Sequence, residues 1–348
     1  MHSVAVTGAA GLVGRHLLPV LAAHDDVSRV LGLDVREPSR RPHDVEFSRV
    51  DIAGTALEPL LEGVDVVVHL AGVVDPVLDE ALMARVNVEG TRHVLDAAAA
   101  VGVRRVVRIS TAMVYGAWAN NPVPLTEAAP LRPNPRFSPA VQGAEVERLL
   151  ASWRSAHPDV TVTTLRSAPV VGPGAERLPA RVLLGRTPWR VRGAAPLVQV
   201  VHVDDLVAAL ALVATTELPG VYNVAADGWL DADGAAALVS SSTVPALPAD
   251  VLERLLRRTW ELGVGDVPPG IVPYLVHPWV VANDKLRGAG WSPTHTNEDA
   301  IREAVATLPA PARPSPAVMV AAGAVGGTAV VSAIAIRRRR RRSRARTA

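Results

Sequence analysis

The feature that most constrains this chain is a glycine-rich turn that begins at residue 7. The run TGAAGLVG (7–14) follows the apolar segment HSVAVT (2–7) and opens a helical pattern at 12–23. Gly8 permits a tight turn, Gly11 lets the backbone approach a pyrophosphate, and Gly14 lets the helix pack on the strand. The start of that helix offers free N–H groups and the positive end of its dipole. The turn therefore predicts a dinucleotide site formed by Gly8, Ala10, Gly11, Leu12, Val13 and Gly14.

An acidic residue follows at the spacing that such a site requires. Asp34 ends the next apolar run, RVLGLD (29–34). Its carboxylate can accept hydrogen bonds from both ribose hydroxyls and should repel a 2′-phosphate. The predicted cofactor is therefore NAD. Arg36 lies close enough in sequence to leave NADP as an alternative.

Short apolar runs alternate with longer helical patterns through the first 110 residues. The pattern predicts strands at 2–7, 29–34, 45–50, 65–70 and 104–110, and helices at 12–23 and 79–101. The strands are almost continuously apolar, which is typical of parallel strands covered on both faces. These features predict an α/β fold with a Rossmann-type doubly wound parallel sheet.

The later chain predicts a loop at 116–137, helices at 139–156 and 204–215, and strands at 161–166, 198–203 and 220–225. We divide the chain into a dinucleotide-binding domain at 1–168 and a smaller substrate-side lobe, interleaved with the sheet, at 169–308. The segment PAPARPSP (309–316) is typical of a stiff linker.

The last 32 residues combine an apolar segment with a basic one. Residues 317–336 carry no charge, and 20 helical residues span about 30 Å, the thickness of a hydrocarbon core. Residues 337–348 follow as an arginine-rich tail. We expect a membrane-associated helix beside anionic lipid; a buried helix or an unstructured tail is the alternative. Gly323 and Gly327 form a G-x-x-x-G pair that could support a homodimer. The segment is so rich in glycine and alanine that chance explains the pair at least as well.

Composition excludes several other classes of protein. The chain has no cysteine, so disulfides and thiolate metal sites are excluded, and no metal site is predicted. Because the positive charge is concentrated in the tail, a nucleic-acid-binding body is not supported. No signal peptide precedes the first strand, so we expect the body to be cytoplasmic.

Further motifs follow the glycine turn in a fixed order. They are D51-I52, HLAG (69–72), Asn87 in VNVEGT, STAMVYG (110–116), LRSAPVVGPG (165–174), VHVDDL (201–206), YNVA (222–225) and LRGAGWSP (286–293). With the glycine turn, they resemble the extended short-chain dehydrogenase/reductase family, whose members include NAD-dependent epimerases and dehydratases. The resemblance covers residues 2 to about 307.

The resemblance implies roles for individual residues. Asp51 and Ile52 would bound the adenine, and Thr111 would hydrogen-bond the reacting hydroxyl or carbonyl. His202 would either touch the substrate or be structural. The remaining cofactor-path residues implied in this way are Leu70, Ala71, Gly72 and Asn87.

The family's catalytic pair is missing. That pair is a tyrosine that transfers a proton and a lysine, four residues later, that lowers the tyrosine pKa and holds the nicotinamide ribose. The following segment, AEVERLL (144–150), places the pair at Pro139 and Gly143. The only lysine is Lys285, and it is preceded four residues earlier by Val281.

The substitutions are compatible with a helix. Ser138 could serve as its N-cap and Pro139 as its first residue, whereas Gly143 in its interior costs about 1 kcal/mol relative to alanine. The helix could therefore survive without its catalytic residues.

Two hypotheses remain open. In the first, this is an NAD-binding protein with weak or no standard redox catalysis, acting as a sensor, scaffold or partner-binding module. In the second, it is an active nucleotide-sugar epimerase or dehydratase, or a hydroxysteroid-type oxidoreductase, with a rearranged acid/base. Tyr115 is then the best substitute and His69 the next. A nucleotide sugar is the expected small-molecule substrate because it is the family's usual one.

Overall fold

The computed structural model describes residues 1–38, 41–175, 177–184, 190–239, 246–263 and 265–307. The strands are β1 (His2–Thr7), β2 (Val27–Asp34), β3 (Val45–Arg49), β4 (Val66–His69), β5 (Arg105–Thr111), β6 (Thr161–Ser167), β7 (Val170–Val171), β8 (Arg190–Val191), β9 (Val201–His202), β10 (Gly220–Val224) and β11 (Ala246–Leu247). Seven of them form one parallel sheet in the order β10-β6-β5-β4-β1-β2-β3. The predicted Rossmann-type sheet is confirmed.

Helices cover both faces of this sheet. They are α1 (Leu12–Ala22), α2 (Glu58–Leu61), α3 (Glu80–Ala84), α4 (Gly90–Ala100), α5 (Ser138–Ala156), α6 (Leu178–Leu183), α7 (Val203–Thr215), α8 (Ala232–Leu238), α9 (Ala249–Glu261), α10 (Asp284–Gly288) and α11 (Asn297–Thr307). A π-helical turn spans Arg85–Glu89, and 3-10 turns span Ala112–Tyr115 and Pro269–Leu275.

Successive residues of β1 point into two separate apolar cores. Val4 and Val6 pack with α1 and α7, whereas Ala5 packs with α2, α4 and α5. All three residues are fully buried. Because both faces of the strand are covered, its sequence is apolar at every one of these positions.

The order of the strands creates a crevice at the carboxyl ends of the central strands, β1 and β4. β1 pairs with β2 on one side and with β4 on the other, so the chain reverses direction across the sheet at β1. In open α/β sheets, ligands bind at such a switch point, beyond the carboxyl ends of the strands. The glycine turn follows β1 and therefore lies at this crevice.

Three local predictions differ in detail from the structure. The helix predicted at 79–101 is interrupted by the π-helical turn. The strand predicted at 198–203 is reduced to β9, which pairs with β7 outside the main sheet. Side chains supplement the few backbone hydrogen bonds there: Asn297 accepts a hydrogen bond from the Val200 N–H, and the Gln199 amide donates to three backbone carbonyl groups.

The third concerns the start of α5, which lies one residue earlier than predicted. Ser138 is its first residue, and Phe137 holds the N-cap position without a side-chain bond. The Ser138 hydroxyl donates to the Glu80 carboxylate and is not an N-cap.

The predicted linker, apolar helix and arginine tail at 309–348 lie outside the described residues, as does the Gly323–Gly327 pair. Within the part of the chain that the structure describes, no helix has the length and apolar character needed to span a membrane.

Candidate cofactor and catalytic site

The turn between β1 and α1 is too crowded for side chains at two positions. Gly8 has φ of +73°, a left-handed conformation that favours glycine. A Cβ atom on Gly8 would lie 2.6 Å from the backbone nitrogen of Ala71, and one on Gly14 would overlap the Gly8 carbonyl oxygen. Gly8 therefore allows the turn to pass over the end of β4. Gly14 allows the start of α1 to pack against the turn.

Gly11 has the opposite environment. It is the N-cap of α1, with no side-chain hydrogen bond, and no acidic residue lies in the first turn of the helix. A Cβ atom on Gly11 would have one protein neighbour within 4 Å, the Gly8 carbonyl oxygen at 3.1 Å. The first turn of α1 thus presents backbone N–H groups to open space, an arrangement that suits a phosphate.

Asp34 ends β2 beside this turn. One carboxylate oxygen accepts from the Ala10 N–H at 2.9 Å and the other from the Arg36 N–H at 3.1 Å. The carboxylate is thus held between the glycine turn and the next loop. Each oxygen keeps a lone pair with which it can accept from a ribose hydroxyl.

Asp51 and Ile52 lie after β3, near the start of α4. The Asp51 carboxylate accepts from the Ala53 N–H at 3.0 Å. Ile52 is 5% exposed, and its side chain faces Gly90, the first residue of α4. The pair thus shapes the wall of the crevice beside β2 and β3.

A buried chain of hydrogen bonds supports the segment Leu70–Gly72. The Thr7 hydroxyl lies 2.6 Å from His69 Nδ1, and His69 Nε2 lies 2.9 Å from the Thr91 hydroxyl. Thr7 Oγ also accepts from the Ala71 N–H at 3.3 Å. Burial lowers the pKa of His69 well below its usual value, and Arg108 lowers it further. His69 is therefore a neutral residue with both ring nitrogens bonded.

Asn87 sits in the π-helical turn and holds the loop after Gly72. Its side-chain oxygen accepts from the Val73 N–H at 2.7 Å, and its amide donates to the Val73 carbonyl at 3.0 Å. The same amide donates to Gln142 Oε1 on α5 at 3.0 Å. Asn87 thus connects the cofactor path to the start of α5.

Thr111 and the two degenerate positions lie where β5 meets α5. The Thr111 hydroxyl accepts from the Met113 N–H at 3.2 Å and caps the short 3-10 turn. Pro139 lies in the first turn of α5. A Cβ atom on Gly143 would be 3.1 Å from Val114 Cγ1, so the helix passes close to the 3-10 turn. Neither Pro139 nor Gly143 has a group that can transfer a proton.

Tyr115 belongs to a buried polar network. Its hydroxyl donates to Asn223 Oδ1 at 2.8 Å and accepts from Arg166 Nη1 at 2.7 Å. Arg166 in turn makes a bidentate ion pair with Glu147 of α5. Burial raises the pKa of Tyr115 to about 12, although Arg166 opposes this shift. The side chain is 1% exposed.

The other two tyrosines are also occupied. The Tyr274 hydroxyl donates to the Met113 carbonyl at 2.7 Å, and that of Tyr222 donates to the Pro219 carbonyl at 3.3 Å. Burial raises the pKa of both groups. The three tyrosines of the chain therefore all use their hydroxyls within the protein.

The charged residues of this network were missed from the sequence. Arg166 is 5% exposed and Glu147 is 7% exposed, and the Ser110 hydroxyl donates to Glu147 at 2.6 Å. The available signal was Arg166 within the strand TVTTLRS, whose neighbours are buried, and Glu147 between the buried residues Val146 and Leu150 of AEVERLL. In such runs, a charge must be paired to be buried.

One histidine cluster could hold a metal by proximity alone. Ligand atoms of His202, His295 and Glu303 lie within 4.8 Å of one another. His202 is 1% exposed, and its Nδ1 accepts from the Asp204 N–H at 3.2 Å. Neutral His202 therefore carries its proton on Nε2, which lies 3.4 Å from Glu303 and has no lone pair to offer a cation. The geometry indicates that His202 caps α7.

The family model described as NAD dependent epimerase/dehydratase family matches residues 4–225. A 3-diazoavenalumate denitrifying reductase of a Streptomyces species is 32% identical over 327 residues, which cover 84% of this chain and 96% of that protein. An uncharacterised protein of Mycobacterium tuberculosis (strain ATCC 25618 / H37Rv) is 32% identical over 237 residues, or 65% of this chain. The match spans 63% of that relative's own length.

Among solved structures, the chain is similar to the UDP-glucose 4-epimerase of Thermus thermophilus in complex with NAD. The TM-score is 0.67 at 23% identity, with 88% of this chain and 98% of that chain covered. At this identity, the likeness concerns the fold.

Proposed function

Because this chain belongs to the NAD-dependent epimerase/dehydratase family, we propose that it binds NAD and does not use the family's tyrosine–lysine chemistry. The observation that carries the proposal is the pair Pro139 and Gly143 at the start of α5, where neither residue can transfer a proton. The crevice beyond β1 and β4 is the proposed cofactor site.

The residues around this crevice fit a dinucleotide. The glycine turn and the open first turn of α1 would hold the pyrophosphate, and Asp34 would accept from the adenosine ribose. Asp51 and Ile52 would flank the adenine, with Leu70–Gly72 and Asn87 along the path to the nicotinamide. When bound, NAD supplies hydride exchange, and the protein's own residues supply only binding and orientation.

Calorimetric titration of the full chain with NAD and NADP tests the cofactor assignment. We expect tighter binding of NAD, because the Asp34 carboxylate repels a 2′-phosphate. Asp34→Asn should narrow the preference about tenfold, whereas Asp25→Asn, on an exposed turn, should leave it unchanged. Tighter binding of NADP by the unmodified protein would contradict the preference.

The occupied tyrosine hydroxyls support the absence of standard catalysis. A general acid must lie within hydrogen-bond reach of the substrate, and losing one typically lowers the rate by about 10² to 10⁴. Tyr115 is bonded to Arg166 and Asn223, and His69 to Thr7 and Thr91. A rearranged acid/base on either residue would have to break these buried contacts.

A nucleotide sugar is the first substrate class to test, since the Thermus protein is a UDP-glucose 4-epimerase. We expect turnover of UDP-glucose or UDP-glucuronate to be very low or undetectable. Rapid epimerisation or dehydration by the unmodified protein, followed by product analysis, would overturn the proposed loss of tyrosine–lysine chemistry. It would leave the cofactor assignment intact.

A second candidate function is hydride transfer to an acceptor that needs no acid. The observation that favours this candidate is the similarity to the 3-diazoavenalumate denitrifying reductase, which extends over 96% of that protein's length. An arenediazonium carbon can accept a hydride while its C–N bond breaks and N₂ leaves, so atoms and charges balance without a proton donor. A carbonyl reduced in the same way leaves an alkoxide that must be protonated.

Reduced cofactor carrying deuterium at C4 tests this candidate with an arenediazonium salt and, in parallel, with a ketone. The expected result is protein-dependent release of N₂ with deuterium in the arene, and no comparable reduction of the ketone. Gly11→Val protein serves as the control for any reaction that occurs in solution without bound cofactor. Equal rates with this variant and the unmodified protein would exclude the candidate.

We also propose, from the sequence of 317–348, that the chain associates with anionic membrane surfaces. Each arginine near such a surface contributes about 1 kcal/mol. Fractionation should find the full chain with membranes and a chain ending near residue 315 in the supernatant. Recovery of both chains in the supernatant would contradict the proposal.

A further inference from the structure

The cofactor crevice contains a cation that the sequence motifs do not include. Arg108 lies on β5, where its backbone pairs with His69 of β4. Its guanidinium Nη2 lies 3.8 Å from the position that a Cβ atom on Gly72 would occupy. Because Gly72 follows His69 by three residues, the side chain extends along the strands to their carboxyl ends. The cation therefore lies against the segment that is the proposed path of the cofactor.

Two of the three guanidinium nitrogens have no hydrogen-bond partner in the described part of the chain. Nη1 donates to the carbonyl oxygens of His69, at 3.3 Å, and Ile109. Nε is buried without a hydrogen bond. The hydrogen bonds that Arg108 makes to described residues all come from Nη1, so Nη2 has no partner among them. Nη2 is the nitrogen that faces Gly72, and its two N–H groups suit two neighbouring acceptor oxygens. Unmet donors of this kind indicate a ligand that the protein itself does not provide.

Among the residues that the structure describes, no acid neutralises this cation by direct contact. Glu147 is the acidic side chain that acts on it electrostatically, but both Glu147 oxygens are bonded to Arg166 and one also to Ser110. Burial lowers the pKa of Arg108 to about 10, and Glu147 opposes this shift. The guanidinium is therefore charged at neutral pH and free to donate.

We propose that Arg108 is a positioning residue that anchors the vicinal hydroxyls of the nicotinamide ribose, in place of the lysine missing from α5. The inference rests on the proposed binding of NAD along Leu70–Gly72. In the family arrangement the cation is a lysine on a helix. Here it is an arginine on β5, and its side chain approaches the crevice beside Gly72. Gly143 then needs no side chain for the cofactor to be held.

Comparing NAD with its fragments separates this role from a merely structural one. ADP-ribose contains the second ribose and ADP lacks it, so both can be titrated into the full chain beside NAD. Arg108→Met should weaken binding of NAD and ADP-ribose by about tenfold to hundredfold and change that of ADP by less than about twofold. Arg108→Lys keeps the charge and should recover part of the loss.

Arg104→Met is the matched control. Arg104 immediately precedes the same strand, on the surface, and pairs there with Asp65. This variant should bind all three ligands like the unmodified protein. If Arg108→Met does not fold, as judged by its thermal midpoint, Arg108→Gln provides a polar side chain without charge. It should weaken the binding of NAD and ADP-ribose more than that of ADP.

Equal weakening of NAD and ADP would overturn the inference, since it would show that Arg108 supports the whole site. Unchanged NAD affinity in Arg108→Met would overturn it as well, while leaving the proposed function in place. If the unmodified protein binds neither NAD nor ADP-ribose, both the inference and the proposed function are wrong.

Discussion

The glycine turn at 8–14 and the start of α5 at 138–143 are the two halves of the family's active-site pattern. In the turn, Gly8 and Gly14 are held in place by close backbone contacts. In α5, the two positions predicted for the catalytic pair hold Pro139 and Gly143, yet the helix runs uninterrupted to Ala156. The difference is that the turn is required by the backbone geometry, whereas catalytic side chains add nothing to folding.

The rest of α5 explains why it persists. Its later turns bury Ala144, Val146, Leu150 and Trp153, and Glu147 ties it to β6 through Arg166. These contacts lie beyond the degenerate positions. The helix therefore keeps its place beside the crevice without proton-transferring side chains at positions 139 and 143.

The largest expected effect is on the turn. Gly11→Val should abolish detectable NAD binding, because the new side chain would fill the space where the pyrophosphate approaches the backbone. Gly11 has φ of −67° and ψ of 171°, an extended conformation that valine can adopt. Its Cβ atom would lie 3.1 Å from the Gly8 carbonyl oxygen, so a small shift of the turn is needed, and the fold should remain. Calorimetry and thermal unfolding measure the two outcomes.

Gly54→Val is the control, since a Cβ atom at that exposed glycine meets no atom within 4 Å. Retained NAD affinity in Gly11→Val would show that the turn is only structural. The glycine turn would then no longer count as the cofactor site in the comparison with α5.

The second effect concerns the anchor of α5. Arg166→Met leaves Glu147 as a buried charge without its partner, and breaking such a pair costs about 3–5 kcal/mol. Urea unfolding should detect this loss, whereas Arg154→Met, at an exposed position on the same helix, should change stability by less than about 0.5 kcal/mol.

The double variant Arg166→Met/Glu147→Gln should recover much of the stability, because it removes both charges. A loss below about 1 kcal/mol in Arg166→Met would mean that α5 is held by its apolar face alone.

The third effect would reverse the comparison. Pro139→Tyr with Gly143→Lys should raise turnover of a nucleotide sugar about 10²-fold if the pocket is otherwise intact. A side chain at 143 meets Val114 at 3.1 Å, so Val114→Ala is included to provide space. The matching variant with Pro139→Phe has the same bulk without the phenol, and it should remain inactive.

Equal activity of the tyrosine and phenylalanine variants would show that no proton passes through position 139. In that case, the degenerate site differs from the family in more than these two residues.

Periodicity and the glycine spacing predicted most of the sheet, because both depend on local sequence. The predicted strand at 2–7 agrees with β1, and Asp34 ends β2 as expected. The network of Tyr115, Arg166 and Glu147 could not be predicted, since it joins residues that are distant in sequence across two elements. Arg108 was missed for a similar reason: its contact with Gly72 depends on the pairing of β5 with β4.

The smallest effect concerns the question of whether the catalyst moved to Tyr115. Tyr115→Phe removes the hydrogen bond to Asn223 and the one from Arg166, at a cost of about 1–3 kcal/mol for the groups left unpaired. NAD affinity and any turnover should not change, because the hydroxyl is enclosed by protein groups.

The pKa of Tyr115, raised by burial to about 12, gives a second test, the pH dependence of the free energy of unfolding. A raised tyrosine pKa stabilises the fold below pH 10, and this contribution is lost as the pH rises from about 10 to 12. The unmodified protein should therefore lose part of its advantage over Tyr115→Phe in that range, as measured by urea unfolding. Loss of turnover in Tyr115→Phe, with stability and NAD affinity unchanged, would instead place the proton donor at Tyr115 and end the contrast between the two regions.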